Sequence, residues 1–155
     1  MDIALLMKAV HAERGEEAFK ARLTGAQWQH LAQVMQRREL PAGKLLLRRG
    51  DADGCAYLLE AGQLQVFVTG GPPRSHRMTT LQPGALVGEQ ALFTTALRLA
   101  NVEALTPSVV WALCAQRLHG LAAEAPALVL EVLRAAGEVM AARMRAHQER
   151  GIPVP

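Results

Sequence analysis

Gly88-Glu89 and Arg98 are the residues whose types and spacing point most directly to chemistry. A glycine ahead of a one-turn helix lets backbone N–H groups point at an anion, and the helix N-terminus adds partial positive charge. Arg98 follows Glu89 by nine positions, enough for the chain to leave the short helix, turn, and bring a guanidinium back over the same spot. The planar fork of arginine pairs two donors with two phosphate oxygens. A carboxylate beside a phosphate is repelled unless it accepts hydrogen bonds, and a ribose hydroxyl is the obvious donor for Glu89. On residue type alone three plainer roles stay open: Arg98 as a solvated surface arginine, a structural ion pair between Arg98 and Glu89, and Glu89 as a cap of the short helix.

Other chemistries find no footing. His11, His30, His76, His119 and His147 show no HxH or HxxxH spacing, which argues against the metal-dependent enzymes built on small β-barrels. Ser75 and Ser108 lack a nucleophile elbow, and neither cysteine neighbours a histidine. We therefore expect no catalytic residues, no metal, no cofactor and no enzyme. Cys55 and Cys114 each stand alone among apolar neighbours, far from CxxC spacing, and read as buried thiols in a reducing compartment. Trp28 and Trp111 read as core or rim packing.

The 155 residues suit one domain, and 50% apolar content suffices for one core. Pro126 and Glu131 cut the longest apolar stretch, so nothing approaches the roughly 20 residues of a membrane span. An acidic Asp2 and no small-residue cleavage site argue against a secretory leader. The expected address is cytoplasmic. The net charge of +3 is scattered, and its densest groups, Arg37-Arg38, Arg48-Arg49 and Arg143 to Arg150, read as solvated surface.

The elements that must position the site follow from local pattern. Asp2 to about Met35 is helical in period, clearest after Thr24, where Trp28, Leu31, Ala32 and Met35 share a face and Thr24-x-x-Gln27 has the form of a capping box. Beyond Arg38, Gly and Pro recur every few residues. Between them lie six short strand candidates: Lys44–Arg48, Cys55–Glu60, Gln63–Thr69, Arg77–Leu81, Arg98–Leu105 and Ser108–Cys114. Gln63 to Thr69 alternates polar and apolar residues, as a strand with one wet face does. Helical period returns after Cys114, first to about Ala123 and then in a long helix that can start at Pro126. Leu133, Ala136, Met140, Met144 and His147 lie along one face of it.

The chain resembles the cyclic-nucleotide-binding domains of catabolite activator proteins, protein kinase regulatory subunits and nucleotide-gated channels, from about Leu23 to Arg145. The resemblance rests on Leu40-Pro41-Ala42-Gly43, Arg49-Gly50-Asp51, Tyr57-Leu58-Leu59-Glu60-Ala61-Gly62, Pro83-Gly84, and Gly88-Glu89-x-Ala91-Leu92 followed by Arg98-x-Ala100-x-Val102. It implies a mainly β fold with flanking helices: N-terminal helices over 1–36, a jelly-roll β-barrel (a double-stranded β-helix) over 37–124 and a long C-terminal helix over 125–150, all one domain. It further implies a phosphate-binding cassette, Gly88 to Ala100, whose ligand-binding residues are Gly88, Glu89, Gln90, Ala91, Arg98, Leu99 and Ala100. Glu89 would hold the ribose 2′-hydroxyl, Arg98 the cyclic phosphate, and the amides of Gly88, Leu99 and Ala100 would complete the shell. The ligand would be cyclic AMP or cyclic GMP. In the family the last helix folds over the base and, in bacterial regulators, forms the dimer seam.

Three positions depart from the pattern. Leu99 stands where the family usually has a small residue, often with a hydroxyl. Thr95-Ala96-Leu97 replaces the usual Gly and Pro before the arginine, and His147 falls where catabolite activators carry a base-reading threonine. The expectation is a regulatory sensor that signals through its terminal helix, with a homodimer through that helix. Only Gly151 to Pro155 follow the helix, so no DNA-binding domain is expected within these 155 residues. The alternative is a degenerate barrel acting as a protein-interaction or dimerisation module.

Overall fold

The computed structural model describes residues 2–68 and 78–155. Its elements are α1 (Ala4–Ala12), α2 (Gly25–Ala32), β1 (Met35–Leu40), β2 (Leu45–Leu47), β3 (Cys55–Ala61), β4 (Leu64–Phe67), β5 (Met78–Leu81), β6 (Leu86–Val87), β7 (Asn101–Ala104), β8 (Ser108–Cys114), α3 (Ala115–Gly120) and α4 (Pro126–Arg150), with a 3₁₀ turn at Glu89–Leu92. Two four-stranded antiparallel sheets form, in the orders β1-β8-β3-β6 and β2-β7-β4-β5.

Local rules account for most boundaries. Thr24 accepts a hydrogen bond from the Gln27 N–H at 3.1 Å while the Gln27 side chain accepts from Thr24 N–H at 2.9 Å, so the capping box is complete and starts α2. Pro126 occupies the first turn of α4, where its missing N–H costs nothing. Gly62 (φ 91°) ends β3 against Ser108; a Cβ there would lie 2.2 Å from the Ser108 hydroxyl oxygen, so no other residue fits.

The helical period expected from Asp2 to Met35 is only partly realised. Between α1 and α2 the chain is extended: Ala18 forms a β-bridge with Ala85, and Phe19 N–H donates to Gly84 C=O. Met35 begins β1 rather than ending a helix. It pairs with Leu113, and the ladder runs to Leu40 opposite Ser108. The strand expected from Arg98 begins only at Asn101, because Arg98 is drawn into a turn with Gly50 and Asp51. Thr69 and Arg77, expected in strands, lie outside the described residues.

Cys55 and Cys114 are joined by a disulfide, which corrects their reading as separate thiols. The antiparallel register of β3 on β8 sets the two directly opposite, a juxtaposition that their separation of 59 residues hides in the sequence. With it goes the inference of a reducing compartment.

The apolar side chains gather in two clusters. One lies between the sheets and includes Leu47, Tyr57, Leu59, Val66, Leu81, Val102 and Val110. The other packs Trp28, Leu31, Leu58, Trp111, Val132 and Val139 between the helices and the β1-β8-β3 sheet. Both tryptophans are thus core residues, and the Trp111 indole N–H donates to Glu60 at 2.9 Å. Helix α4 turns Leu128, Val132, Ala135, Val139, Ala142 and Ala146 inward, while Met144 and His147 face outward. Among the described residues no helix is long and apolar enough to cross a membrane.

Candidate nucleotide-binding site

β6 hydrogen-bonds to the middle of β3, with Val87 opposite Tyr57, and delivers the chain to Gly88. Gly88 adopts φ 73°, in the left-handed region, and a Cβ there would lie 2.8 Å from Arg98 Nη1. Glycine is therefore required twice over, by the backbone and by the arginine packed against it. The 3₁₀ turn follows, with Ala91 N–H donating to Gly88 C=O; Glu89 and Ala91 are buried, and Gln90 is half-buried.

Arg98 returns over this spot as its spacing anticipates, but it pairs with Asp53 rather than with Glu89. Its Nε and Nη2 donate to Asp53 Oδ2 and Oδ1 at 3.1 and 2.5 Å, its Nη2 also to Cys55 C=O, and its Nη1 to Gly88 C=O at 2.8 Å. The backbone is held as firmly: Arg98 N–H donates to Asp51 C=O and Gly50 N–H to Arg98 C=O. The turn Arg49-Gly50-Asp51 thus cradles the arginine. Burial works to raise the Asp53 carboxyl, but hydrogen bonds and charge from Arg98, with the Cys55 N–H, outweigh it and hold the carboxyl below its ordinary value. Ala100 is fully buried, whereas Leu99 is 53% exposed, and Leu97 and Phe93 are also exposed.

Glu89 is 0% exposed, stands in the first turn of the 3₁₀ segment and makes no capping hydrogen bond there. Its Oε2 accepts from Arg143 Nη1 of α4 at 2.6 Å, and its Oε1 has no hydrogen-bond partner. Arg143, expected on a solvated face, is buried; its Nη2 donates to Leu86 C=O at 2.5 Å and stands 3.5 Å from Glu17 Oε2. The site is thus two clasps side by side: Asp53-Arg98 against Gly88, and Glu89-Arg143 against α4.

The structure brings Gly88, Glu89, Ala91, Arg98 and Ala100 together, sets Gln90 at their edge and turns Leu99 toward solvent. Asp53, Arg143 and Glu17 were missed. A signal for Arg143 does exist, because Val132, Ala136, Val139 and Arg143 continue one helical stripe, and a charge within an apolar stripe marks a buried partner. Asp53 carries no comparable mark.

Two antiparallel sheets forming a jelly roll, with flanking helices and a glycine-carboxylate-arginine cassette, define the class of small β-barrel domains. The family described as Cyclic nucleotide-binding domain matches residues 37–125, and the chain belongs to it. Among curated proteins it is similar to a cAMP-dependent protein kinase regulatory subunit of Blastocladiella emersonii, 31% identical over 104 residues, covering 67% of this chain and 26% of that one. The chain therefore spans about a quarter of that relative's length. Among solved structures it is similar to a cyclic nucleotide-binding domain of Methylobacillus flagellatus (TM-score 0.78, 24% identity, 96% of this chain and 81% of that one). It is also similar to the Thermus thermophilus catabolite activator protein (TM-score 0.68, 29% identity, 81% and 57%).

Proposed function

We propose that this domain binds cyclic AMP or cyclic GMP and relays occupancy through α4. Glu89 carries the reading: a fully buried carboxylate with one oxygen on Arg143 and the other without a partner is an acceptor that matches a ligand hydroxyl. Arg98 has five N–H donors, and four are engaged within the protein, leaving one on Nη1 for a phosphate oxygen beside Gly88. Gly88, Gln90, Ala91, Leu99 and Ala100 would line the same ligand. Arg143 connects Glu89 to α4, so a hydroxyl on Glu89 that changes its hold on Arg143 biases the helix by the ligand's differential affinity for its positions. The name of the Blastocladiella emersonii relative makes cyclic AMP the first ligand to try. The protein's role in this reading is regulatory rather than catalytic.

Calorimetric titration with both nucleotides tests this. Micromolar binding of at least one is expected, weakened at least tenfold in Arg98→Ala, since a charge-assisted contact is worth about 1.5–3 kcal/mol. No binding at millimolar concentration by the wild type sinks the reading.

A second reading, an interaction or dimerisation module, is favoured by α4, whose Leu130 and Met144 are 71% and 55% exposed.

A further inference from the structure

The extended segment between α1 and α2 crosses the molecule where β6, the 3₁₀ turn and α4 meet. On one side it pairs with the approach to Gly88: Leu86 N–H donates to Glu17 C=O at 3.0 Å, Ala18 bridges Ala85, and Phe19 N–H donates to Gly84 C=O at 3.1 Å. On the other it runs along α4. Arg150 meets Glu16 at 3.4 Å, Arg134 donates to Lys20 C=O at 3.1 Å, and Glu131 accepts from Arg22 N–H at 2.7 Å. Between these contacts the Glu17 carboxylate stands 3.5 Å from Arg143, the guanidinium that holds Glu89.

One guanidinium thus serves two carboxylates, Glu89 fully buried and Glu17 with its side chain 29% exposed. Arg143 Nε, Glu89 Oε1 and Glu17 Oε2 are all buried without a hydrogen-bond partner. With both carboxylates ionised the cluster carries one excess negative charge. The charged groups facing Glu17 are Arg143 from α4, Glu89 from the 3₁₀ turn, and its neighbour Glu16, which Arg150 engages. Burial raises the Glu17 carboxyl, Arg143 draws it back, and Glu89 and Glu16 push it up again, leaving it above its ordinary value.

We propose that Glu17 is a positioning residue of the ligand site: it shares Arg143 with Glu89, and its negative charge sets how strongly the site accepts an anionic ligand. The proposal rests on the reading that the site takes a cyclic nucleotide. Such a ligand brings a phosphate charge toward a cluster already negative in excess, so neutralising Glu17 favours binding, and binding favours the protonated Glu17.

The test compares wild type with Glu17→Gln by calorimetric titration with cyclic AMP and cyclic GMP from about pH 5 to about pH 8, a range that spans a raised carboxyl. At neutral pH the variant is expected to bind about 3- to 10-fold more tightly, the size of a partly screened charge contact. The wild type should gain affinity as pH falls and take up protons on binding, seen as a heat that depends on the buffer. The variant should show neither, and Glu17→Asp should restore both. Affinity in Glu17→Gln equal to or weaker than wild type, or an unchanged pH profile, overturns the proposal. If neither protein binds either nucleotide, the functional reading fails by itself and the unliganded proteins decide about Glu17. A carboxyl raised in the fold stabilises it below the ordinary value and loses that stabilisation as pH rises through the raised one. Wild-type stability should then fall relative to Glu17→Gln as pH rises, and parallel profiles overturn the proposal.

Discussion

Asp53 shows how much of the behaviour of Arg98 is set by what holds it. Bidentate pairing with Asp53, together with two backbone carbonyls, fixes the Arg98 guanidinium before any ligand arrives, so little side-chain freedom remains to be lost on binding. Because Arg98 holds the Asp53 carboxyl below its ordinary value, the pair stabilises the fold above that value and loses its effect as pH falls through the lowered one. Urea unfolding of wild type and Asp53→Asn should therefore show a gap at neutral pH that closes in acid. A gap that is constant down to the acid end would mean the pair contributes no charge term. Gly88, Glu89 and Arg98 were legible in the sequence because their relation is local, a turn and nine residues of chain. Asp53 and Arg143 were not, since each finds its partner 45 or 54 positions away and only the barrel's closure brings the pairs together.

At the scale of elements, α4 is tied to the cassette by one buried ion pair, with Arg143 and Glu89 side chains 4% and 0% exposed. Removing one member leaves the other charge buried alone, which costs about 3–5 kcal/mol, whereas replacing both with uncharged residues of similar size is close to neutral. Arg143→Met should therefore be strongly destabilising, and the triple variant Glu17→Gln/Glu89→Gln/Arg143→Met, which also removes the second carboxylate on that guanidinium, should recover most of the loss in urea unfolding. Additive losses would show that the three side chains do not act as a unit. Elements with a local signature were readable: β4 from its alternation, β8 at both ends, α2 from its capping box, α4 from Pro126. β1 was not, because Met35 and Leu40 are buried only at its ends and Arg37, Arg38 and Glu39 between them show no period of two. Two-residue β6 is too short to carry any pattern, and exists because β3 offers it an edge.

At the scale of the whole molecule, α4 has two faces with different tasks, and they are joined by adjacent residues. Arg143 points inward to Glu89, and its neighbour Met144 points outward, so a rotation of α4 in response to Glu89 necessarily moves the outer face. That face carries the exposed Leu130 and Met144 with the half-buried Met140 between them, and Leu133, packed against the core, at its border. Gly137 lies on the same face, and a Cβ placed on it meets nothing within 4 Å, leaving room for close approach. Each fully buried Leu or Met contributes about 1.5–3 kcal/mol, so two copies of the face pressed together supply enough for a micromolar dimer after the entropy of association is met. Sedimentation equilibrium should find such a dimer, and Leu130→Glu/Met144→Glu should make it monomeric without lowering the melting temperature, because neither side chain belongs to the core. Binding unchanged in that monomer would separate dimerisation from ligand sensing, whereas weakened binding would mean that helix position and site are coupled across the dimer. A wild type that stays monomeric at about 100 μM, well above a micromolar dissociation constant, would remove the second reading and leave α4 acting within a single chain.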